Sequence, residues 1–330
     1  MSDLKQLTAE EFADRLLGAA SPVILIHTKP DGDTVGTASS LVAFYRQRGV
    51  KAKIASDVLI PDRLAFLAEG IERVEDITAE TGTLIAVDVA APRQLGDLAL
   101  SLEDGAKVAF MLDHHAVGTP FADNYILPDA SSAGEVLLSV YKVLIGRGEM
   151  TLTPEIAYPL YAAICSDTGC FRFANTSPQT LRACADLLEV GIDGADISHR
   201  LFESKSAGIL HAEGIAAAKT VALEDGISYA VISKQERDEA GLMPFDFETA
   251  IDVVRSLKGT EIAFVIKEND KKEYKVSLRS TGANVAAVAV QFGGGGHERA
   301  AGCAVPGETI EEATQTLISA IRAIRVPEQK

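Results

Sequence analysis

Val23-Ile24-Leu25-Ile26-His27-Thr28-Lys29-Pro30-Asp31-Gly32-Asp33 is the stretch from which the rest of the chain can be read. Its first four residues are apolar and mostly β-branched, the pattern of a buried strand. Directly after them come one imidazole and two carboxylates within seven residues, His27 to Asp33. Gly32 is expected to let the backbone turn between the aspartates, so that both carboxylates converge on one point. Oxygen and imidazole donors gathered this closely suit a hard or borderline divalent cation. The same residues also make ordinary turn chemistry, with the aspartates capping a following helix. This stretch alone leaves both readings open.

Working outward, the spacing predicts a helix over 34–48, with Val35, Ala38, Leu41, Val42 and Tyr45 on one face and Gly49 at its end. Residues 51–56 read as a second strand and 62–69 as a short helix. A third buried strand, 83–87, ends in Asp88, a helix follows over 92–102, and a fourth strand, 108–112, ends in Asp113-His114-His115. Strands alternating with helices at these lengths predict an α/β domain, a parallel sheet with helices on both faces. In such open sheets ligands sit outside the carboxyl ends of the strands. Three strand ends here carry metal-competent side chains, and that pattern weighs more than any motif within it.

Ser132 with Glu135 predicts a capping box for a helix running to Ile145. Thr153-Pro154 opens the next helix, which Pro159 is expected to kink. It delivers Ser166-Asp167-Thr168-Gly169 after the apolar residues 162–165, which favours a paired or metal-bound Asp167 over a surface turn. Another helix starts at Ser177-Pro178 and closes at Gly191. Residues 1–191 thus read as one domain, 192–208 as a connection, and 209–330 as a smaller α+β domain.

The second domain has a different grammar. Segments 219–223 and 227–233 flank the hairpin signal Asp225-Gly226, and 261–267 with 273–280 form a second antiparallel pair. Helices are expected over 247–257, 285–291 and 310–324, the last with a capping box from Thr309 to Glu312. Gly293, Gly294, Gly295 and Gly296 precede His297. Backbone amides free of side chains, beside a histidine, can cradle a phosphate or carboxylate. A loop that merely connects elements would gain nothing from four glycines that cost entropy on ordering. Arg279, at a strand end, is a second anion contact.

Composition bounds the rest. At 330 residues, 47% hydrophobic and 24% charged, the chain has ordinary globular composition. Its net charge of -16, from 47 acidic against 31 basic side chains, repels long polyanions unless a basic groove is built locally. Cys165, Cys170, Cys184 and Cys303 form no C-x-x-C pair and read as reduced, buried thiols of a cytoplasmic protein. No apolar run reaches the length of a membrane span, and the polar start predicts no signal peptide.

Taken together, His27, Asp31 and Asp33, then Asp88, Asp113-His114-His115, Ser166-Asp167 and the GGGGH run at 293–297 resemble the DHH phosphoesterase superfamily. The likeness follows the family's motif order over nearly the whole chain. The linked second domain and the fragment TGCFRFANTS at 168–177 resemble the branch containing nanoRNases of the NrnA type. Members of that branch also remove the 3′-phosphate from 3′-phosphoadenosine 5′-phosphate (pAp).

The resemblance implies a Rossmann-like catalytic domain, a DHH-associated domain and an active site in the cleft between them. It implies hydrolysis of short oligonucleotides, such as the linear dinucleotide pApA, and of small phosphorylated nucleotides such as pAp. Two divalent cations, normally manganese, would act through in-line attack of a bridging hydroxide. His27, Asp31 and Asp88 would hold one ion; Asp33, Asp88, His114 and Asp167 would hold the other, with Asp88 bridging. Asp113 joins Asp88 and His115 among the catalytic residues, and His115 would face the substrate phosphate and assist the leaving oxygen. A second role for His115, orienting His114 alone, stays open. Arg279, Gly295, Gly296 and His297 would bind the substrate's phosphate or nucleotide end.

Thr37 stands where the family commonly has Ser, and Ala116-Val117-Gly118 replaces a Pro- and Asn-containing stretch; both bear on substrate preference. Long duplex nucleic acid and membranes are not expected partners, while a homodimer is left open. The alternatives are a RecJ-like single-strand exonuclease, a cyclic-dinucleotide phosphodiesterase, a pyrophosphatase, or a nucleotide sensor without turnover. The glycine run argues against the pyrophosphatase branch, and the lack of a basic channel against a processive exonuclease.

Overall fold

The apolar runs near the start of the chain become strands buried on both faces, because helices cover both sides of the sheet they form. The computed structural model describes residues 4–269 and 273–324. The chain divides into two units, Met1–Ser204 and Lys205–Lys330.

The first unit runs α1 (Ala9–Gly18), β1 (Val23–Leu25), α2 (Gly32–Gln47), β2 (Lys53–Ala55), a 3-10 turn (Asp62–Leu67), β3 (Arg73–Val74), β4 (Leu84–Val87) and a second 3-10 turn (Pro92–Leu95). It continues through α3 (Leu98–Glu103), β5 (Val108–Asp113), β6 (Asp123–Ile126), α4 (Ala133–Gly146), α5 (Pro154–Asp167), α6 (Pro178–Leu188) and α7 (Gly194–Phe202). The strand order is β3-β2-β1-β4-β5-β6 with every neighbouring pair parallel.

Side chains alternate across this sheet. Ile24, Ile54, Ile85, Val87, Phe110 and Leu112 pack with Phe12, Leu41, Phe44 and Tyr141 of the helices on one face. Val23, Leu25, Ala55, Leu84, Ala86 and Met111 pack with Leu95 and Leu98 on the other. α5 lies directly on α2: a Cβ on Gly36 would stand 2.4 Å from the Pro159 carbonyl oxygen. This close contact fixes where the last residue of α5, Asp167, arrives.

Several local expectations are corrected. The helix expected over 92–102 is broken at Gly96, whose φ of 60° ends the 3-10 turn before α3 begins. The short helix expected over 62–69 is a 3-10 helix and ends earlier, spanning Asp62–Leu67. Ser132 caps α4 through the Glu135 N–H, but no capping box forms, because the Glu135 carboxylate instead accepts from Ser131 and Thr180. Residues 192–208 hold α7, which packs on α5.

The second unit runs α8 (Ala207–Ala218), β7 (Val221–Ala222), β8 (Ile227–Ile232), α9 (Lys234–Glu239), a 3-10 turn (Pro244–Phe247), α10 (Ala250–Arg255), β9 (Ile262–Glu268), β10 (Tyr274–Ser280), α11 (Val285–Gln291), β11 (Gly295–His297), β12 (Ala300–Val305) and α12 (Ile310–Ala323). Its strands lie in the order β11-β12-β10-β9-β8-β7. All pairs are antiparallel except β8 with β9, which are joined by the long helical crossover that parallel strands need.

Alternate residues of β9 serve two cores. Ile262, Phe264 and Ile266 face Val285, Val288, Leu317 and Ile321, whereas Ala263 and Val265 face Ala212, Ile251 and Val254. Thr309 caps α12, but its expected reciprocal partner Glu312 accepts from the Glu308 N–H, so this box is also half formed.

Candidate metal centre and active site

The first sheet reverses its winding at β1, which has β2 on one side and β4 on the other. Open parallel sheets bind ligands at such a switch point, beyond the strand carboxyl ends. His27 lies two residues past β1, Asp88 directly follows β4, and Asp113 ends β5 ahead of His114 and His115. Asp31 and Asp33 sit at the start of α2, and Asp167 is the last residue of α5.

Asp88 takes a left-handed backbone, φ 57°, while its N–H still bonds the Leu112 carbonyl at 3.0 Å. That conformation is strained for most residues and tolerated by aspartate, and it turns the chain off the ladder at this residue. Gly32 serves a purpose other than the turn expected of it. It is the first residue of α2, and a Cβ there would lie 2.5 Å from the Ser166 side chain. Asp31 meets both readings of its stretch with separate oxygens: Oδ1 caps α2 by accepting from the N–H groups of Asp33 and Thr34, and Oδ2 stands 3.8 Å from His27 Nε2.

The donor atoms fall into overlapping groups, each with all its ligand atoms within 4.8 Å of one another. One holds His27, Asp31 and Asp88; a second holds Asp33, His114 and Asp167; a third holds Asp88, Asp113, His114 and His115. His27 Nε2 is 3.3 Å from Asp88 Oδ2. His114 Nε2 is 3.7 Å from Asp33 Oδ2, 3.7 Å from Asp88 Oδ1 and 3.4 Å from Asp167 Oδ2. Asp88 therefore stands between the first two groups. The structure brings His27, Asp31, Asp33, Asp88, Asp113, His114, His115 and Asp167 together from four separate segments.

The electrostatics fit a cation. Asp33 is 0% exposed and accepts from the N–H groups of Ala133 and Gly134 at 2.7 and 3.0 Å and from Thr37 Oγ1 at 3.2 Å. Burial, and then the charge of Asp31, still push its pKa up to about 7. Burial and neighbouring carboxylates raise Asp88 and Asp167 well above the usual range. Buried Asp88 Oδ1 has no hydrogen-bond partner among the described residues. A closed group of carboxylates with an orphaned oxygen needs compensating positive charge.

The histidines are set to supply neutral nitrogen donors. Burial lowers the His27 pKa. His114 Nδ1 lies 3.3 Å from the Ala130 carbonyl oxygen, which can only accept, so the proton belongs on Nδ1 and the Nε2 lone pair faces the aspartates. This mixed oxygen and imidazole set suits a borderline divalent ion.

His115 is held differently. Its Nδ1 bonds Asp113 Oδ1 at 2.7 Å, and the same oxygen accepts the N–H groups of His114 and His115. Burial opposes charge on His115 and is the largest single influence, but the bond to Asp113 together with the charges of Asp113, Asp33 and Asp31 outweighs it, and the pKa is raised. Burial likewise opposes the Asp113 carboxylate, but the side-chain and backbone hydrogen bonds from His115 and the charges of His115 and His114 together lower its pKa. Asp113 thus orients His115 and favours its protonated form.

The backbone amides that hold Asp33 escaped the sequence, since an N–H has no residue-type signature. The only available signal was the helix start at Ser132.

In the second unit, Arg279 and His297 are both in register with Ala300, one from each side. Directly paired residues project to the same face, so the two side chains flank one alanine methyl across about 10 Å. Arg279 Nη1 donates to the Leu278 carbonyl at 2.9 Å, and burial pushes its pKa down. The glycine run is not a bare loop, because Gly295 and Gly296 open the edge strand β11.

Three of the four glycines also have reasons within the unit, contrary to the expectation that a connection gains nothing from them. Gly293 has φ 70°, a Cβ on Gly294 would lie 2.2 Å from the Gly302 carbonyl oxygen, and Gly296 has φ 139°. Gly295 has neither constraint, and a Cβ there would meet nothing within 4 Å.

Residues 22–164 match the DHH family, N-terminal domain, and residues 225–323 match the DHHA1 domain. The fold and the aspartate-histidine centre define a phosphoesterase of the DHH family, a metal-dependent class, and the chain belongs to that family. Within it the chain is of the NrnA type. It is 29% identical over 315 residues to the bifunctional oligoribonuclease and PAP phosphatase NrnA of Thermus thermophilus, covering 94% of this chain and 92% of that one. It is 26% identical over 282 residues to the Bacillus subtilis protein of the same name, covering 84% and 87%.

In fold it is similar to the crystal structure of an exopolyphosphatase-related protein from Bacteroides fragilis. The TM-score is 0.85 at 23% identity, covering 96% of this chain and 95% of that one. Among the described residues no helix is long and apolar enough to cross a membrane.

Proposed function

We propose that this phosphoesterase hydrolyses short oligoribonucleotides to mononucleotides and removes the 3′-phosphate of pAp, with two divalent cations, manganese by preference. The observation that carries the reading is Asp88, buried between two ligand groups with an oxygen that has no hydrogen-bond partner among the described residues. His27, Asp31 and Asp88 would hold one cation and Asp33, Asp88, His114 and Asp167 the other. Bound there, the ions supply the charge that makes water a nucleophile near neutral pH and offsets charge on the phosphoryl oxygens. The substrates are those named for the two NrnA relatives.

The chain's own groups perform the remaining tasks. Asp113 fixes His115 through Nδ1, so its other nitrogen, Nε2, presents an N–H suited to protonating a leaving alkoxide. In the second unit, Arg279 and His297 would bind a phosphate or the nucleotide end of the substrate, and Gly295 and Gly296 leave the backbone beside them open to close approach. A net charge of -16 fits a small phosphoester met by a few local cations better than a long polyanion.

The test is incubation with manganese and, separately, pApA, a five-nucleotide RNA, pAp and pyrophosphate, with and without chelator. Chelator-sensitive release of AMP from pApA and pAp, with little action on pyrophosphate, is expected. Cleavage of pyrophosphate alone, or binding of pApA without turnover, would overturn the proposal.

A further inference from the structure

Residues 130–134, which lead from the turn after β6 into the first residues of α4, reach two side chains of one ligand group without supplying a ligand themselves. The Ala130 carbonyl accepts from His114 Nδ1, and the N–H groups of Ala133 and Gly134 donate to both oxygens of Asp33. The third member of the group, Asp167, is joined to the same segment by Asn175. Its Nδ2 donates to the Ser131 carbonyl at 3.0 Å and to the Asp167 carbonyl at 3.1 Å. An amide nitrogen carries two hydrogens, so both bonds form at once.

The segment is itself braced. Glu135 Oε2 accepts from Ser131 N at 2.9 Å, Ser131 Oγ at 2.6 Å and Thr180 Oγ1 at 2.9 Å.

The chain after α5 is shaped to bring Asn175 back. Gly169, Cys170 and Phe171 take successive left-handed conformations, with φ of 55°, 58° and 63°, and two of these are not glycine. Such strain persists only where surrounding contacts impose it. The carbonyls of Ile164, Cys165, Ser166 and Thr168 are met by backbone N–H groups, while that of Asp167 is met by the Asn175 side chain. The end of α5 that carries the ligand is therefore tied to residues 130–134 by one amide.

We propose that Asn175 is a positioning residue for one of the two cation sites. It locks Asp167 to the segment that already sets Asp33 and His114, so the three donor atoms keep one spacing. This rests on the reading of Asp33, His114 and Asp167 as ligands. Asn175 touches neither cation nor substrate in this account, and its effect passes entirely through the place of Asp167.

The test titrates manganese chloride by calorimetry into the full-length wild type, Asn175→Ala and Asn175→Leu, with unfolding midpoints measured alongside in chelator. Leucine keeps the size of asparagine and lacks its N–H donors. The wild type is expected to show two binding events. In both variants one event should weaken by about 10- to 100-fold, the range for groups that orient a metal ligand, while the other stays unchanged. Turnover lost at limiting manganese should return at high manganese with the substrate KM unaltered.

Two wild-type affinities in either variant would overturn the inference and leave the metal centre standing. Equal weakening of both events with a lowered unfolding midpoint would also overturn it, since that is the signature of a general structural role. A wild type that binds no manganese would overturn the centre and the inference together.

Discussion

Stripping cations from the centre with chelator should leave a protein whose stability falls as pH rises, because its carboxylates are then buried beside one another without compensation. Asp33 has its pKa raised from 3.8 to about 7, by burial first and the charge of Asp31 second, and Asp88 and Asp167 are pushed up for related reasons. A carboxyl with a higher pKa folded than unfolded holds more protons in the folded state across the window between the two values. Its contribution is fully present below about pH 4 and is lost as pH rises through about 7.

For Asp33 the rise corresponds to roughly 4 kcal/mol, at 1.36 kcal/mol for each pH unit. The three groups share the same repulsion, so the whole effect stays on this order and does not triple. Urea unfolding of the chelated protein should therefore give a free energy about 3 kcal/mol lower at pH 8 than at pH 5, the part of the effect that falls between pH 5 and about 7. Saturating manganese should flatten or reverse that slope, since a cation that binds only the folded state adds stability and holds the carboxylates ionised. The general repulsion of an acidic chain acts in both samples, so the difference between slopes is the quantity to read. Equal slopes with chelator and manganese would falsify the reasoning.

Asp88→Ala should lose manganese binding in calorimetry and nearly all turnover; near-normal activity at saturating manganese would remove Asp88 from the centre. His115→Ala should lower kcat on pApA by about 10²- to 10⁴-fold, the usual contribution of a proton donor, with manganese affinity retained. An unchanged kcat would confine His115 to orienting its neighbour. His297→Ala should raise KM for pApA much more than it changes manganese affinity, and an unaltered KM would count against an anion contact there.

What was legible had a residue-type signal. The runs before His27, Asp88 and Asp113 are apolar and partly β-branched, and their polar ends announce both the strand and its mouth. Strands β3 and β6 carry no such signal: β3 is two residues long, and β6 is Asp-Asn-Tyr-Ile, polar at its start. In the sequence β11 has the look of a phosphate-cradling loop, because glycine has no side chain to betray a strand and its pairing with β12 is made wholly by backbone. Glu135 and Glu312 have the spacing of capping boxes, yet Ser131, Thr180 and the Glu308 N–H compete for their carboxylates. Local spacing cannot weigh partners supplied from elsewhere.

By itself the sequence determined the parallel sheet, the paired architecture of two units and the eight charged or imidazole side chains that meet beyond the carboxyl ends of the first sheet's strands. Each of these follows from side-chain chemistry and period, which are written residue by residue. Only the tertiary structure decided that the helix start at Ala133 and Gly134 grips Asp33 and that Asn175 ties Asp167 to the same segment. Those contacts join residues far apart in the chain, largely through backbone N–H and C=O groups that every residue shares, so nothing in the identity of the partners could announce them.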